Sequence, residues 1–175
     1  MNKLIDKYNL ITFWAKRVSE PVLSLPFVEG IPTGEKAKDI SEWVRDNSDK
    51  YCYKFVKMYH GTAASIPVEV EGLKPTTSKR RRSYQSESGY VYLAATPYRA
   101  KTFGDMGNQG KCVVYEVIVR VRKLLPDTDQ LNNQRSVGKE VCNTIGESII
   151  FGGGGRVKGR IEPWAIRKME LSEYS

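Results

Sequence analysis

The chain has 175 residues, a length that favours a single domain with a buried core. Its apolar fraction of 40% argues against disorder of the whole chain, and its net charge of +8 favours polyanionic partners such as nucleic acid, acidic protein surfaces or phosphorylated ligands. With one histidine and three widely spaced cysteines, the sequence cannot assemble an ordinary zinc site, and we predict no metal cofactor.

The front of the chain has helical patterns. Apolar residues recur at helical spacing over residues 3–18, and Asp39 with Glu42 three positions later has the pattern of a capping box for a second helix. We predict that residues 1–52 form a helical N-terminal extension packed on a core domain over residues 53–175. No apolar run reaches the ~20 residues that span a bilayer, and no signal-peptide pattern is present, so we predict a cytoplasmic protein without a membrane partner.

Beyond residue 53 the pattern changes to short strands. The strand prediction is clearest over residues 112–121, where valines alternate with other side chains. Further strands are predicted over residues 53–59, 89–94, 147–151, 161–166 and 167–171. A short helix is predicted from Pro97 to Phe103, and a flexible turn over residues 152–155. Because the regular strand–helix alternation of a parallel sheet is absent, the predicted fold class is α+β with mixed or antiparallel sheets.

The first motif with chemical character is Tyr59-His60-Gly61-Thr62. His60 is the only histidine in the chain, and a neutral imidazole offers one hydrogen-bond donor and one acceptor. Gly61 lacks a Cβ, so a flat ring can lie against its main-chain amide and carbonyl. A core histidine followed by a glycine in a turn explains the same residues, and both interpretations stay open on the motif alone.

Two further points along the chain accompany this motif. Tyr92 lies in a predicted strand, and Phe103 follows it by eleven positions at the end of the predicted helix. Glu147 begins the apolar run that ends at Phe151, where it is predicted to open a strand. Both aromatic residues are also compatible with ordinary core positions, and Tyr90 shares the strand face of Tyr92.

In this order and at this spacing, the three motifs resemble the His-Tyr-Glu branch of the ADP-ribosyltransferase superfamily, which includes diphtheria-like toxins and poly(ADP-ribose) polymerases. The resemblance covers residues 57 to about 170. It implies an ADP-ribosyltransferase-like split sheet of short strands, with NAD bound as a substrate in a cleft between two sheets. It also implies mono-ADP-ribosyl transfer, a glycosyltransferase reaction of the pentosyl class, to a macromolecular acceptor that is protein or nucleic acid. A small single catalytic domain suits a toxin or effector delivered into a target cell.

The resemblance also implies a role for each motif residue. The catalytic residues would be His60, Tyr92 and Glu147, with the Glu147 carboxylate holding a ribose hydroxyl and stabilising the oxocarbenium charge that develops as nicotinamide leaves. His60 would bind a ribose hydroxyl, the Gly61 main chain would bind the carboxamide, and the rings of Tyr92 and Phe103 would pack against the cationic nicotinamide. The full NAD-binding set would be His60, Gly61, Thr62, Tyr92, Phe103 and Arg81.

The sequence also departs from the family pattern. Ala100 stands where the polymerases have a serine that helps to hold the nicotinamide amide, which puts that contact in doubt. Ile145 stands two positions before Glu147, where arginine-specific and guanine-specific members carry Glu or Gln, and this argues against those acceptors. Rival carboxylates for the catalytic role are Glu116, Glu140 and Glu162.

Several alternatives stay open at this point. Arg81 belongs to the basic run Lys79–Arg82, which is either a solvated loop or a contact to the NAD phosphates or the acceptor. An NAD-dependent RNA 2′-phosphotransferase is a second enzymatic interpretation, although that family uses a second histidine, which this chain lacks. A small-molecule-modifying enzyme, similar to the rifamycin-modifying relatives, and a non-catalytic basic module that binds nucleic acid are the others. The sequence specifies neither the acceptor nor the oligomeric state.

Overall fold

The computed structural model of the protein describes residues 55–75, 86–108 and 112–173. The predicted N-terminal extension over residues 1–52 and the basic run that contains Arg81 lie outside the described residues. In the described part of the chain, no helix is both long enough and apolar enough to span a bilayer.

Six strands form one open sheet in which every neighbouring pair is antiparallel, in the order β4-β5-β2-β1-β3-β6. The strands are β1 (Phe55–Ala63), β2 (Tyr90–Ala94), β3 (Cys112–Arg120), β4 (Leu125–Pro126), β5 (Gly154–Lys158) and β6 (Ile166–Lys168). The α-helices are α1 (Val68–Glu71), α2 (Pro97–Asn108), α3 (Thr128–Ser136) and α4 (Ile145–Glu147), and α4 continues as a π-helical segment over Ser148–Gly152. The described chain is therefore α+β.

The sheet is divided between β1 and β2. β1 pairs with β3 along all nine of its residues, and β2 pairs with β5 along all five of its residues. By contrast, the register of β1 with β2 consists of a single pair, Tyr59 opposite Ala94. The sheet therefore consists of two halves, β4-β5-β2 and β1-β3-β6, which are joined at this one position.

Apolar side chains cover both faces of the sheet. The larger cluster lies on one face and includes Met58, Leu93 and Val117 from the three central strands. A smaller cluster on the opposite face joins the sheet to α2 and consists of Ala94, Ala100, Val114 and Met169. Since successive strand residues point to opposite faces, this distribution shows which side of the sheet each predicted site residue occupies.

The predicted strand over residues 147–151 is wrong, because this segment is helical. The hydroxyl of Thr144 accepts the main-chain amide of Glu147 at 3.2 Å and caps the helix at its N-terminus. A threonine followed three residues later by glutamate is the pattern of a capping box. Here this local signal overrides the strand propensity of the isoleucines that follow.

The glycine run was predicted to be a flexible turn, and only its first part turns. Gly153 has a φ of 79° and closes the π-helical segment, whereas Gly154 and Gly155 already belong to β5 and are buried. A Cβ on Gly154 would collide with the carbonyl oxygen of Leu93, so a residue without a side chain is needed where β5 approaches β2.

The remaining differences concern element lengths. α2 extends to Asn108, beyond the predicted end at Phe103. The two predicted closing strands reduce to β6, because Pro163 begins a 3-10 turn over Pro163–Ala165 and a second such turn follows at Leu171–Glu173. The helix α3 was not predicted, and it contributes a residue to the candidate site.

Candidate functional site

His60 lies one residue beyond the pair that joins the two halves of the sheet. Its Nδ1 is 2.8 Å from the main-chain carbonyl oxygen of Tyr92. Because a carbonyl oxygen only accepts, Nδ1 carries the proton in this hydrogen bond. In the neutral ring Nε2 is then the acceptor, which is the polarity that a ribose hydroxyl needs from a partner.

The side chains of His60 and Tyr92 leave the sheet on opposite faces. His60 follows Met58 in the alternation of β1 and so belongs to the face of the larger cluster. Tyr92 precedes Ala94 in the alternation of β2 and belongs to the face of the smaller cluster. A ligand lying over one face of the sheet would therefore meet only one of these two side chains.

The space beside Gly61 is filled by protein. A Cβ on Gly61 would collide with the carbonyl oxygen of Ala100 and lie 3.2 Å from the Cα of Gly104, both on α2. Helix packing therefore explains this glycine, and a flat ring cannot occupy the place of the missing Cβ. What β1 offers to a ligand is its main-chain edge on the side of the split, beyond the single pair with β2.

Phe103 and Thr62 lie near Gly61 but in different surroundings. Phe103 is on α2, one residue before Gly104, and is 37% exposed, so its ring is available as a stacking surface. Thr62 is buried in β1, opposite Val113 of β3. The exposure of Phe103 is compatible with the predicted stacking on nicotinamide. Thr62 is buried, so little of its side chain is accessible to NAD.

The phenol of Tyr92 is held by two groups that the sequence reasoning missed. Its hydroxyl donates a short hydrogen bond to Oδ2 of Asp129 on α3 and accepts the main-chain amide of Glu87 at 2.8 Å. The same Glu87 amide lies 3.0 Å from Asp129 Oδ2. Burial, followed by the hydrogen bond to Asp129, raises the pKa of Tyr92 above its usual range, so the phenol stays protonated.

Arg156 is the residue of β5 that lies opposite Tyr92. Its Nη1 is 2.6 Å from Oε2 of Glu87, and its Cζ is 4.1 Å from the centroid of the Tyr90 ring. Tyr90 and Tyr92 therefore share one face, as the sequence predicted, and a buried guanidinium lies with them.

Glu147 is not at the place that the resemblance implies. Its Oε2 accepts the main-chain amide of Cys142, which precedes the helix, at 2.6 Å, and its own amide is capped by the Thr144 hydroxyl. The strand beside β2 is β5, and its residue opposite Tyr92 is Arg156 rather than a glutamate. The sequence misled here because β5 begins with two glycines, whereas the segment after Glu147 is rich in isoleucine.

The rival carboxylates have other partners or positions. Glu116 is buried in an ion-pair cluster, 3.2 Å from Lys57 and 3.3 Å from Arg167, as expected of a strand carboxylate with basic neighbours. Glu162 is exposed and lies 3.4 Å from Arg160, and Glu140 is exposed. Asp129, whose carboxylate accepts the Tyr92 hydroxyl, and Glu87, whose main-chain amide donates to it, are the acidic residues that contact Tyr92.

One sequence signal could have located Asp129. Asp127 follows Pro126 and caps α3, since its Oδ1 accepts the amides of Asp129 and Gln130, each at 3.1 Å. An aspartate directly before a segment of helix-compatible residues is a recognisable N-cap pattern. The long-range contact from α3 to β2 has no counterpart in the local sequence.

Among the residues that the structure describes, no three His, Cys, Asp or Glu side chains are grouped so that they could hold a metal ion. No family model matches the chain, and neither the curated proteins nor the solved structures include one with significant similarity to it. The functional proposal therefore depends on the site itself and on the resemblance of its motifs.

Proposed function

We propose that this protein is an NAD-dependent mono-ADP-ribosyltransferase whose donor site is the split between β1 and β2. The observation that carries the proposal is the single pair, Tyr59 opposite Ala94, that joins the two halves of the sheet. The Tyr92 carbonyl at this position already accepts His60, so other main-chain groups along the facing edges of β1 and β2 would bind the carboxamide, which is itself a donor and an acceptor. The motif that resembles the family's NAD-binding strand lies at this position.

The residues at the split suit the parts of NAD that have to be held. His60 donates through Nδ1 to the carbonyl oxygen of Tyr92, and in the neutral form of the ring Nε2 would accept a ribose hydroxyl. The exposed ring of Phe103 and the phenol of Tyr92 offer aromatic surfaces to a cationic nicotinamide ring. No metal is required for this chemistry.

The reaction exchanges one bond at the ribose carbon for another. The bond to nicotinamide breaks with its electron pair going to the ring nitrogen, which neutralises the pyridinium and leaves positive charge on the ribose. The acceptor nucleophile then forms the new bond and loses its proton to a base. A carboxylate near the ribose lowers the energy of the charged state as it develops.

We assign this carboxylate to Asp129 in place of Glu147. Asp129 contacts the Tyr92 hydroxyl directly, whereas the Glu147 carboxylate accepts the main-chain amide of Cys142. The assignment keeps the combination of imidazole, phenol and carboxylate that the motifs suggested, with a different residue supplying the acid.

Release of nicotinamide from NAD by the purified protein tests the proposal. We expect Asp129→Asn to lower the rate by roughly 100-fold, the scale at which one electrostatic contact to a transition state acts. Glu147→Gln should stay near the wild-type rate, and Glu162→Gln is the matched surface control. Radiolabelled NAD incubated with protein, RNA and DNA pools, followed by protease or nuclease digestion, identifies the acceptor class. Absence of nicotinamide release with every pool would reject the proposal.

Arg156 favours a second candidate, an NAD-dependent RNA 2′-phosphotransferase. That family shares the ADP-ribosyltransferase-like fold that the resemblance implies and uses arginines where the transferases have glutamate, and β5 has an arginine opposite Tyr92. The missing second histidine speaks against it. Loss of phosphate from a 2′-phosphorylated RNA only when NAD is present would support this candidate over the first.

A further inference from the structure

Arg156 is a buried cation, and one of its N–H donors has no hydrogen-bond partner among the described residues. The residue is 7% exposed, and its Nη1 donates to Oε2 of Glu87 at 2.6 Å. Its Nε is buried and has no hydrogen-bond partner among the described residues. A guanidinium offers five N–H donors in a planar fork, so an acceptor that reaches Nε and Nη together would satisfy it better than this contact does.

The guanidinium is held in place independently of Glu87. It lies over the ring of Tyr90 at 4.1 Å, and both residues belong to the paired strands β2 and β5. An arginine stacked on an aromatic ring and fixed by a sheet loses little conformational freedom when it binds a ligand.

Glu87, in contrast, is the exchangeable partner. Its side chain is 51% exposed and precedes β2. Its main-chain amide is anchored separately, at 2.8 Å from the Tyr92 hydroxyl and 3.0 Å from Asp129 Oδ2. The carboxylate can therefore rotate into water while the main chain stays where it is, provided that another anion takes its place beside the buried guanidinium.

We infer that Arg156 binds a phosphate group of the substrate, and that the Glu87 carboxylate occupies this position until the phosphate displaces it. Phosphate offers several strong acceptor oxygens and is a good bidentate partner for arginine. If the phosphate bound while the Glu87 carboxylate stayed in place, two anions would lie together near Asp129. Displacement of Glu87 avoids this repulsion, because one anion then replaces another. The binding of a phosphate by Arg156 does not depend on the proposed function. Whether this phosphate belongs to the donor dinucleotide or to the acceptor does depend on it.

The inference predicts opposite effects for the two partners. In titration calorimetry with inorganic pyrophosphate at low salt, Glu87→Gln should bind roughly fivefold more tightly than wild type, because an internal competitor is removed. Arg156→Lys should bind roughly tenfold more weakly, since a lysine cannot replace the planar fork. Glu162→Gln breaks a comparable exposed pair with Arg160 and should leave the affinity unchanged.

The same titration with adenosine 2′-monophosphate distinguishes the two sources of phosphate. Preference for pyrophosphate assigns the site to the donor, and preference for the monophosphate assigns it to the acceptor. Unchanged or weaker pyrophosphate binding by Glu87→Gln, whose substitution at a half-exposed site should leave the fold intact, would overturn the inference, as would failure of the wild type to bind either ligand. Tight phosphate binding without nicotinamide release would reject the proposed function and retain Arg156 as the phosphate site.

Discussion

His60 and Tyr92 are linked by a hydrogen bond between a side chain and a main chain, from Nδ1 of His60 to the carbonyl oxygen of Tyr92 at 2.8 Å. The bond connects β1 to β2 close to the only residue pair in their register, so it reinforces the joint between the two halves of the sheet. Nδ1 of the ring thus serves the fold, and the proposed function assigns Nε2 to the substrate. The two roles can be separated by mutation.

His60→Asn should separate them. Asparagine places an amide N–H near the position of Nδ1 and has no atom near the position of Nε2, so it can keep the bond to Tyr92 while it loses the second acceptor. We expect the free energy of unfolding to stay within about 1 kcal/mol of wild type, while nicotinamide release falls roughly 100-fold. Urea denaturation and NAD turnover measure the two effects.

His60→Leu is the control, since it removes both nitrogens and should lower both stability and turnover. If His60→Asn kept wild-type turnover, Nε2 would have no part in the reaction. The imidazole would then be a structural link between the strands.

Gly61→Ala tests whether helix packing requires the glycine. The new Cβ would collide with the carbonyl oxygen of Ala100, a main-chain atom that cannot rotate away, so α2 has to shift. We expect a loss of roughly 2–3 kcal/mol of unfolding free energy, at the upper end of overpacking effects. Gly138→Ala is the control, because Gly138 has a φ of 83° and open space around it, and only backbone strain of about 1 kcal/mol should appear. Equal losses in the two variants would contradict the packing argument.

The strands that the sequence located best are those whose apolar side chains are largely buried in the core. In β3, the run from Cys112 to Arg120 is rich in valine and is buried through most of its length, so local pattern and tertiary packing agree. β1 and β2 were placed within a few residues for the same reason. The α+β class was predicted from these strands and from the lack of strand–helix alternation, and the choice between mixed and antiparallel sheets was left open.

The part of the site that sequence reasoning missed depends on contacts between distant segments. α3 is almost entirely polar and buries only Leu131, so it has no apolar stripe that would predict a helix. Arg156 meets Glu87 across 69 positions of the chain, and no local pattern reports such a pairing. Glu147 was misplaced because a capping box and the start of an apolar strand look alike when only spacing and composition are known.

Ser148 provides a test of how α3 is held against the sheet. It is completely buried, its Oγ donates to the carbonyl of Gly154 at 2.6 Å, and it accepts the amide of Asp127 at 2.7 Å. Ser148→Ala leaves both main-chain groups unpaired, so we expect a loss of roughly 2–4 kcal/mol in urea denaturation. Ser136→Ala, which removes an exposed hydroxyl that donates to Asn133, should cost far less. Similar losses of unfolding free energy in both variants would show that the buried hydroxyl of Ser148 contributes no more to stability than an exposed one.

Asp127 makes the stability of the fold depend on pH in a particular direction. Burial raises the pKa of this carboxyl from its ordinary value of 3.8 to about 6, and the hydrogen bond from the amide of Gln130 opposes the shift. Asp129 raises the pKa further through its negative charge, and Arg156 lowers it through its positive charge. Between these two pH values the folded state binds more protons than the unfolded state, so stability falls as the pH rises from about 4 to about 6.

Asp127→Asn should remove this contribution and keep the helix cap, because asparagine is as good an N-cap residue as aspartate. A pKa difference of about two units corresponds to about 3 kcal/mol, which is the amount that wild type should lose relative to Asp127→Asn between pH ~4 and pH ~6. Carboxyls such as Glu71 and Asp105, whose pKa values are lowered by their lysine partners, change stability in the opposite direction but do so equally in both proteins. The difference between the two unfolding free energies, measured by urea denaturation across this range, therefore isolates Asp127. A difference that does not vary with pH would show that the buried carboxyl keeps its ordinary pKa.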